Sequence, residues 1–224
     1  MSPLNLKSVH LNYSHKNVII NDNRGGACMK PVANFEANDM KLRDVLFTDY
    51  AYKIPRYQRP YSWDYDQVSE FWNDLMSVED SSFIGSLIFN YEDFSETSLI
   101  DIIDGQQRLL TITIFMAVLR DLAREIDSEK AALFQRKDIA FEDRLTGKQT
   151  FRIKAGDQTR EYFESNIQSM NSNILDSSPV NEEQNKIKKN YQFFYEKVKD
   201  ELKKYANKQN QLGYLNSMRK KLEI

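Results

Sequence analysis

The chain has 224 residues, enough for one large domain or for a compact core carrying a helical annex. Hydrophobic residues at 41% and charged residues at 29% argue against a disordered or membrane-embedded protein, and a net charge of −2 argues against coating nucleic acid through charge alone, leaving room for a local basic groove. Cys28 is the single cysteine, which excludes an intrachain disulfide and a cysteine-rich zinc site.

Residues 1–34 lack sustained periodicity and include the turn-rich NDNRGG, which predicts an irregular leader. The N-terminus lacks the charged-then-apolar pattern of a signal peptide, so the cytoplasm is the expected location. From Asn38, the spacing of Met40, Leu42, Val45 and Leu46 predicts a short helix, and YAYKIP reads as a brief strand closed by Pro55. A loop rich in arginine and tyrosine follows. Asp64 and Gln67 then stand as in a capping box ahead of Val68, Phe71, Trp72 and Leu75 at helical spacing.

SFIGSLIFNY and TSLIDIID predict two buried strands of a hairpin. Residues 105–127 form the strongest predicted helix, apolar in its first half and charged in its second, which is expected to reach solvent. Its apolar run at 109–119 is far shorter than the ~20 residues that span a bilayer. TFRIKA suggests one more strand, Asp157 a helix cap, and residues 181–208 one long amphipathic helix. Lysine and arginine concentrate at 136–160 and 186–204, but interspersed acids make these solvated helix faces. The helical pattern still runs at the last residue, as at an interior cut.

Chemistry concentrates in two places. In DIIDGQQRLL a strand would end at Asp104 and a helix begin at 105–107, where glycine permits a tight turn and the first amides of the helix lack internal partners. An anion can dock there. Arg108 adds a fork suited to phosphate, Gln106 and Gln107 can donate and accept, and Asp104 could hold hydrated magnesium or orient a water. The plainer alternative makes Asp104 the helix cap, with Arg108 paired to it or to Asp101. The second place is IPRYQRPYSW, where two prolines stiffen a loop carrying Arg56, Tyr57, Gln58, Arg59, Tyr61 and Trp63. Its rings could stack on a base and its arginines clamp phosphate; alternatively the rings cover a core edge and Arg59 answers a carboxylate such as Asp104.

IPRYQRPYSW, FWNDL, FIGSLIF and above all DGQQRLLTITIF resemble the N-terminal domain of GmrSD-type modification-dependent restriction proteins, in order over residues 42–119, with RIKAGDQTREYF fitting the helical continuation. The resemblance implies an α+β fold: a small ParB/sulfiredoxin-like mixed sheet with packed helices, followed by a helical annex. The expected organisation is an irregular leader over 1–34, a core over 35–127 and a mainly helical extension over 128–224, truncated at its C-terminus.

It further implies hydrolysis of a nucleoside triphosphate, with Mg2+, controlling cleavage of modified phage DNA. Asp104, Gln106, Gln107 and Arg108 would be catalytic, with Asp104 also the metal ligand. Gly105, Arg59 and Gln58 would bind phosphate, and Tyr57, Tyr61 and Arg56 would recognise a base or modified DNA. Phosphates would lie on the amides of 105–107, Arg108 or Arg59 would neutralise the leaving oxygens, and Gln106 or Gln107 would align water.

The HNH-type nuclease that accompanies such domains needs histidine. Only His10 and His15 are present, both outside the matched region, so a nuclease is expected in another domain or partner. Two other readings stand beside this one: a non-catalytic module that senses modified DNA, and an interaction scaffold built on the long C-terminal helix.

Overall fold

A computed structural model describes residues 8–21, 27–46, 48, 50–77, 85–90, 99–143 and 147–222, with side chains from residue 41 onward. Strands β1 (Ser8–Asn21) and β2 (Ala27–Met40) pair antiparallel, from Ser8 opposite Met40 to Asn21 opposite Ala27. This corrects the expectation of irregular structure there. Valine, isoleucine and tyrosine favour strands, but here they form the single run VII or stand isolated rather than alternating, so the period-two signal is weak. Pro31 is tolerated because β2 is an edge strand. The expected helix is correspondingly shorter: Met40 ends β2, and α1 covers Leu42–Leu46.

Beyond it come β3 (Ala51–Lys53), α2 (Tyr65–Ser77), β4 (Leu87–Asn90), β5 (Leu99–Asp104) and α3 (Gln106–Ile126). Half of the predicted capping box forms, with the Asp64 amide donating to Gln67 Oε1 at 3.1 Å. The sheet is mixed, in the order β2-β1-β4-β5-β3-β8; β1 and β4 run parallel, β4 and β5 antiparallel, and β3 lies parallel to both β5 and β8. Alternate residues of β4 and β5 are buried, as in a sheet with one covered face.

Helix α4 (Ser128–Phe134) runs into a π-helical turn, Gln135–Ile139, ahead of a small ribbon of β6 (Ala140–Glu142) and β7 (Gln149–Phe151). After β8 (Ile153–Lys154), α5 (Arg160–Phe163) continues as a second π-helical turn, Glu164–Gln168, and α6 (Glu182–Leu202) and α7 (Lys208–Lys221) complete the annex. The fold is thus α+β. The single helix expected over 181–208 is two, because Asn207 accepts from the Asn210 amide at 2.8 Å and caps a new helix just after the first stops.

Helix α3 is the axis of the core, with Leu109, Ile114, Phe115, Val118 and Leu119 all fully buried. Phe115 packs against Phe194 of α6, ring centroids 5.2 Å apart. The second half of α3 does not reach solvent as expected until Arg124. Arg120 is 0% exposed; it pairs with Asp121 at 2.9 Å and donates to Gln135, Gln168 and Ser172, while the Tyr191 hydroxyl donates to Asp121. Charges become core residues here because the annex covers them and, together with Asp121 of α3 itself, satisfies every Arg120 donor.

Candidate functional site

Strand β5 ends at Asp104, and Gly105 turns the chain into α3 with φ +91°. A Cβ on Gly105 would lie 2.2 Å from Leu87 Cδ2, so both the left-handed backbone and the packing against β4 call for glycine. No side chain caps this helix, which rules out Asp104 as its cap and leaves the first amides with the donors and positive partial charge that attract an anion. Asp104 is exposed at the lip. Asp101 pairs with Lys53 at 3.2 Å, and Arg108 pairs with neither aspartate.

The two glutamines hold the arginine–tyrosine loop by its backbone. Gln106 Nε2 donates to the Arg59 carbonyl at 2.9 Å and Gln107 Nε2 to the Pro60 carbonyl at 3.1 Å, while Gln107 Oε1 accepts from the Ser62 amide at 2.8 Å. Gln58 reaches the other way, donating to the Ile103 carbonyl at 2.8 Å. Both ends of the Gln107 amide are therefore occupied and cannot align a water. Gln106 Oε1, by contrast, is buried and has no hydrogen-bond partner among the described residues. Arg108 Nη1 donates to the Ser86 carbonyl, and its guanidinium lies where a Cβ on Gly85 would sit, 2.7 Å from Cζ. It fastens the turn before β4 while remaining partly exposed.

From the opposite side, α6 holds the same loop. Glu183 Oε1 accepts from the Tyr61 amide at 2.7 Å, Asn190 Nδ2 donates to both the Tyr61 hydroxyl and the Trp63 carbonyl at 2.9 Å, and Lys186 donates to the Ser62 carbonyl at 3.3 Å. Tyr61 is 2% exposed with its hydroxyl 2.7 Å from Thr111 Oγ1, and burial pushes its pKa up to about 12. Expected to recognise a base, Tyr61 is instead a core residue. Tyr57 is 73% exposed at the loop tip. Arg56 pairs with Asp157, whose carboxyl is held below the usual range chiefly by that hydrogen bond, with Arg160 adding a contact at 2.6 Å. Asp157 thus bridges arginines and caps no helix; Thr159 stands at the start of α5.

Two clefts result. One, about 360 Å³, brings together Gln58, Arg59, Trp63 and all of residues 104–108. The other, about 470 Å³, lies across the loop and adds Arg56, Asp157, Thr159 and Glu183. Tyr57 lines neither. Asp157, Glu183 and Asn190 were not expected at the site, because residues that contact Arg56 or Tyr61 from 101, 122 and 129 positions away leave no local pattern. Among the described residues no cluster of three or more histidine, cysteine or acidic side chains could hold a metal. A divalent ion at Asp104 would therefore draw its other ligands from phosphate and water, as magnesium commonly does.

The chain belongs to the family of the GmrSD restriction endonuclease, N-terminal domain, which matches residues 42–223 and so takes in both the turn at 104–108 and the helices that hold the loop. Membership makes it part of a restriction endonuclease system, with restriction and defence against phage as the setting. No curated protein matches the chain in a sequence search. Among the described residues no helix is long and apolar enough to cross a membrane.

Proposed function

We propose that this domain binds a nucleoside triphosphate at the 104–108 turn and hydrolyses it, in the cytoplasm, to control DNA cleavage by a nuclease centre of HNH type in another domain or partner. One observation carries the reading: a left-handed glycine opens an uncapped 21-residue helix into a cleft that also holds Arg59, Arg108 and one exposed carboxylate. Such a donor set fits a polyphosphate, and the ParB-like fold implied by the sequence resemblance agrees with it.

In this mechanism the amides at 105–107 receive phosphate oxygens. Arg59, whose side chain is exposed and has no ion pair or hydrogen bond among the described residues, neutralises charge on the oxygen that leaves the γ-phosphorus, and Arg108 lines the same cleft. With Gln107 occupied by the loop, and Gln106 buried with its nitrogen on the Arg59 carbonyl, orientation of the attacking water is assigned to exposed Asp104. Magnesium, held by Asp104 and phosphate oxygens, would supply charge neutralisation.

The test is phosphate release from each nucleoside triphosphate with magnesium, alongside Asp104→Asn and Arg59→Ala. Both side chains are exposed, so both variants should melt like the parent while losing most release. Undiminished release in both, or no release and no thermal shift from any nucleotide, would refute the reading.

Exposed Tyr57 beside Arg56 favours a second role for the loop tip, contact with modified DNA. Fluorescence anisotropy with modified and unmodified duplexes across a salt series measures it: binding that weakens steeply with salt and drops in Tyr57→Ala supports the role, and unchanged binding in that variant removes it.

A further inference from the structure

The two clefts are not independent: Gln58, Arg59 and Gln106 line both. Gln106 stands at their junction and is 5% exposed. Its amide orientation follows from chemistry, because the Arg59 carbonyl can only accept, so the nitrogen must face it and the oxygen must face away. That oxygen has no donor. Buried side-chain acceptors in native proteins nearly always have a partner; Gln168 Oε1 and the Tyr214 hydroxyl lack one among the described residues as well, but Gln106 lines both clefts and they line neither, so at Gln106 a ligand can bring the donor.

We infer that the second cleft takes the nucleoside half of the ligand and that Gln106 Oε1 accepts a hydrogen bond from a ribose hydroxyl. The inference rests on the nucleotide reading above and extends it. A triphosphate seated on the amides at 105–107 can run on into the second cleft past Gln106, which lines both, and the group that follows phosphate in a nucleotide is the sugar. A ribose hydroxyl there is the missing donor. Beyond the junction, Ile54, Pro55 and Leu110 offer apolar surface to the face of a base, and the cleft volume of about 470 Å³ falls in the range of small-molecule sites, roughly 300–1,000 Å³. The Arg56–Asp157 bridge lies on the rim of this cleft, joining the loop to the turn before α5.

Calorimetric titration of the full chain, with magnesium, tests the inference. The probes are a non-hydrolysable ribonucleoside triphosphate, its 2′,3′-dideoxy counterpart and inorganic tripolyphosphate. A site built to hydrogen-bond a hydroxyl should bind the dideoxy compound about tenfold or more weakly than the ribose compound. In Gln106→Leu, which also takes the Nε2 donor from the Arg59 carbonyl and so weakens all three probes, the ratio between the two nucleotides should still fall towards one.

Equal binding of ribose and dideoxy compounds by the parent chain, with tripolyphosphate still bound, would overturn the inference and leave the phosphate site standing. A ratio that survives in Gln106→Leu would remove Gln106 as the acceptor. Failure of tripolyphosphate and both nucleotides to bind would remove the phosphate site itself. The comparison within the parent chain needs no variant, so a Gln106→Leu that folds poorly does not shield the inference.

Discussion

Replacing Gly105 with alanine attacks the site through its backbone and separates two costs that another glycine helps to resolve. The new Cβ would meet Leu87 Cδ2 at 2.2 Å, well inside the 3.0 Å that real contacts respect, and Leu87 is fully buried in β4. Holding a non-glycine residue at φ +91° costs about 1–2 kcal/mol, and forcing the overlap into a packed core adds about 1–3 kcal/mol. The sum, about 2–5 kcal/mol, is a large share of the ~5–15 kcal/mol of a typical domain. Gly147 provides the control: its φ is +63° and a Cβ there would meet nothing within 4 Å, so alanine should cost only the backbone part, about 1 kcal/mol. Urea denaturation followed by far-ultraviolet circular dichroism measures both, with unchanged slope confirming that stability rather than the unfolded state has moved. Equal losses in the two variants would refute the claim that Leu87 contact fixes the turn, and a loss below about 0.5 kcal/mol at Gly105 would refute the backbone argument as well.

Tyr61 and Arg120 carry the remaining predictions. The Tyr61 pKa is raised on folding from 10.0 to about 12, so its contribution is complete below pH 10 and is lost as pH climbs through about 12; at 1.36 kcal/mol per unit it amounts to about 3 kcal/mol. Tyr61→Phe should therefore flatten the alkaline fall in stability over that window while costing about 1–2 kcal/mol at neutral pH, and an alkaline limb as steep as the parent's would contradict the assignment. Arg120→Ala leaves Asp121 buried with only the Tyr191 hydroxyl and an Arg124 contact at 3.4 Å, which should cost about 3–5 kcal/mol in denaturant melts. Adding Asp121→Asn removes the stranded charge and should return part of that loss; no recovery would mean that the charge is not what the melt reports.

Local signals in the sequence carried the turn and its neighbours a long way. The strand ending at Asp104, the helix after Gly105, the strand closed by Pro55 and the helix after Asp64 all depend on periodicity, capping residues and proline or glycine within a few positions. The same short range explains the failures. Tyr61 looked like a stacking surface because nothing near it in sequence shows Asn190 and Thr111 closing over its hydroxyl. Arg120 looked solvated because the residues that satisfy it lie in Gln135, Gln168 and Ser172. Gln107 looked free to act on water for the same reason, since its partners are backbone groups of the loop.

The loop over residues 56–62 separates two jobs that its sequence blends. Its backbone is held from both sides: carbonyls of Arg59 and Pro60 and the amide of Ser62 by glutamines of α3, the amide of Tyr61 and the carbonyl of Ser62 by Glu183 and Lys186 of α6. Its side chains divide accordingly, with Tyr61 turned into the core and Arg56, Tyr57 and Arg59 turned out. A loop fixed in this way has already met the cost of ordering its backbone, so a ligand need only immobilise exposed side chains, at about 0.5–1.5 kcal/mol each. Half of that clamp comes from α6, so the annex is part of the site's architecture, and the family match over residues 42–223 spans both halves of the clamp.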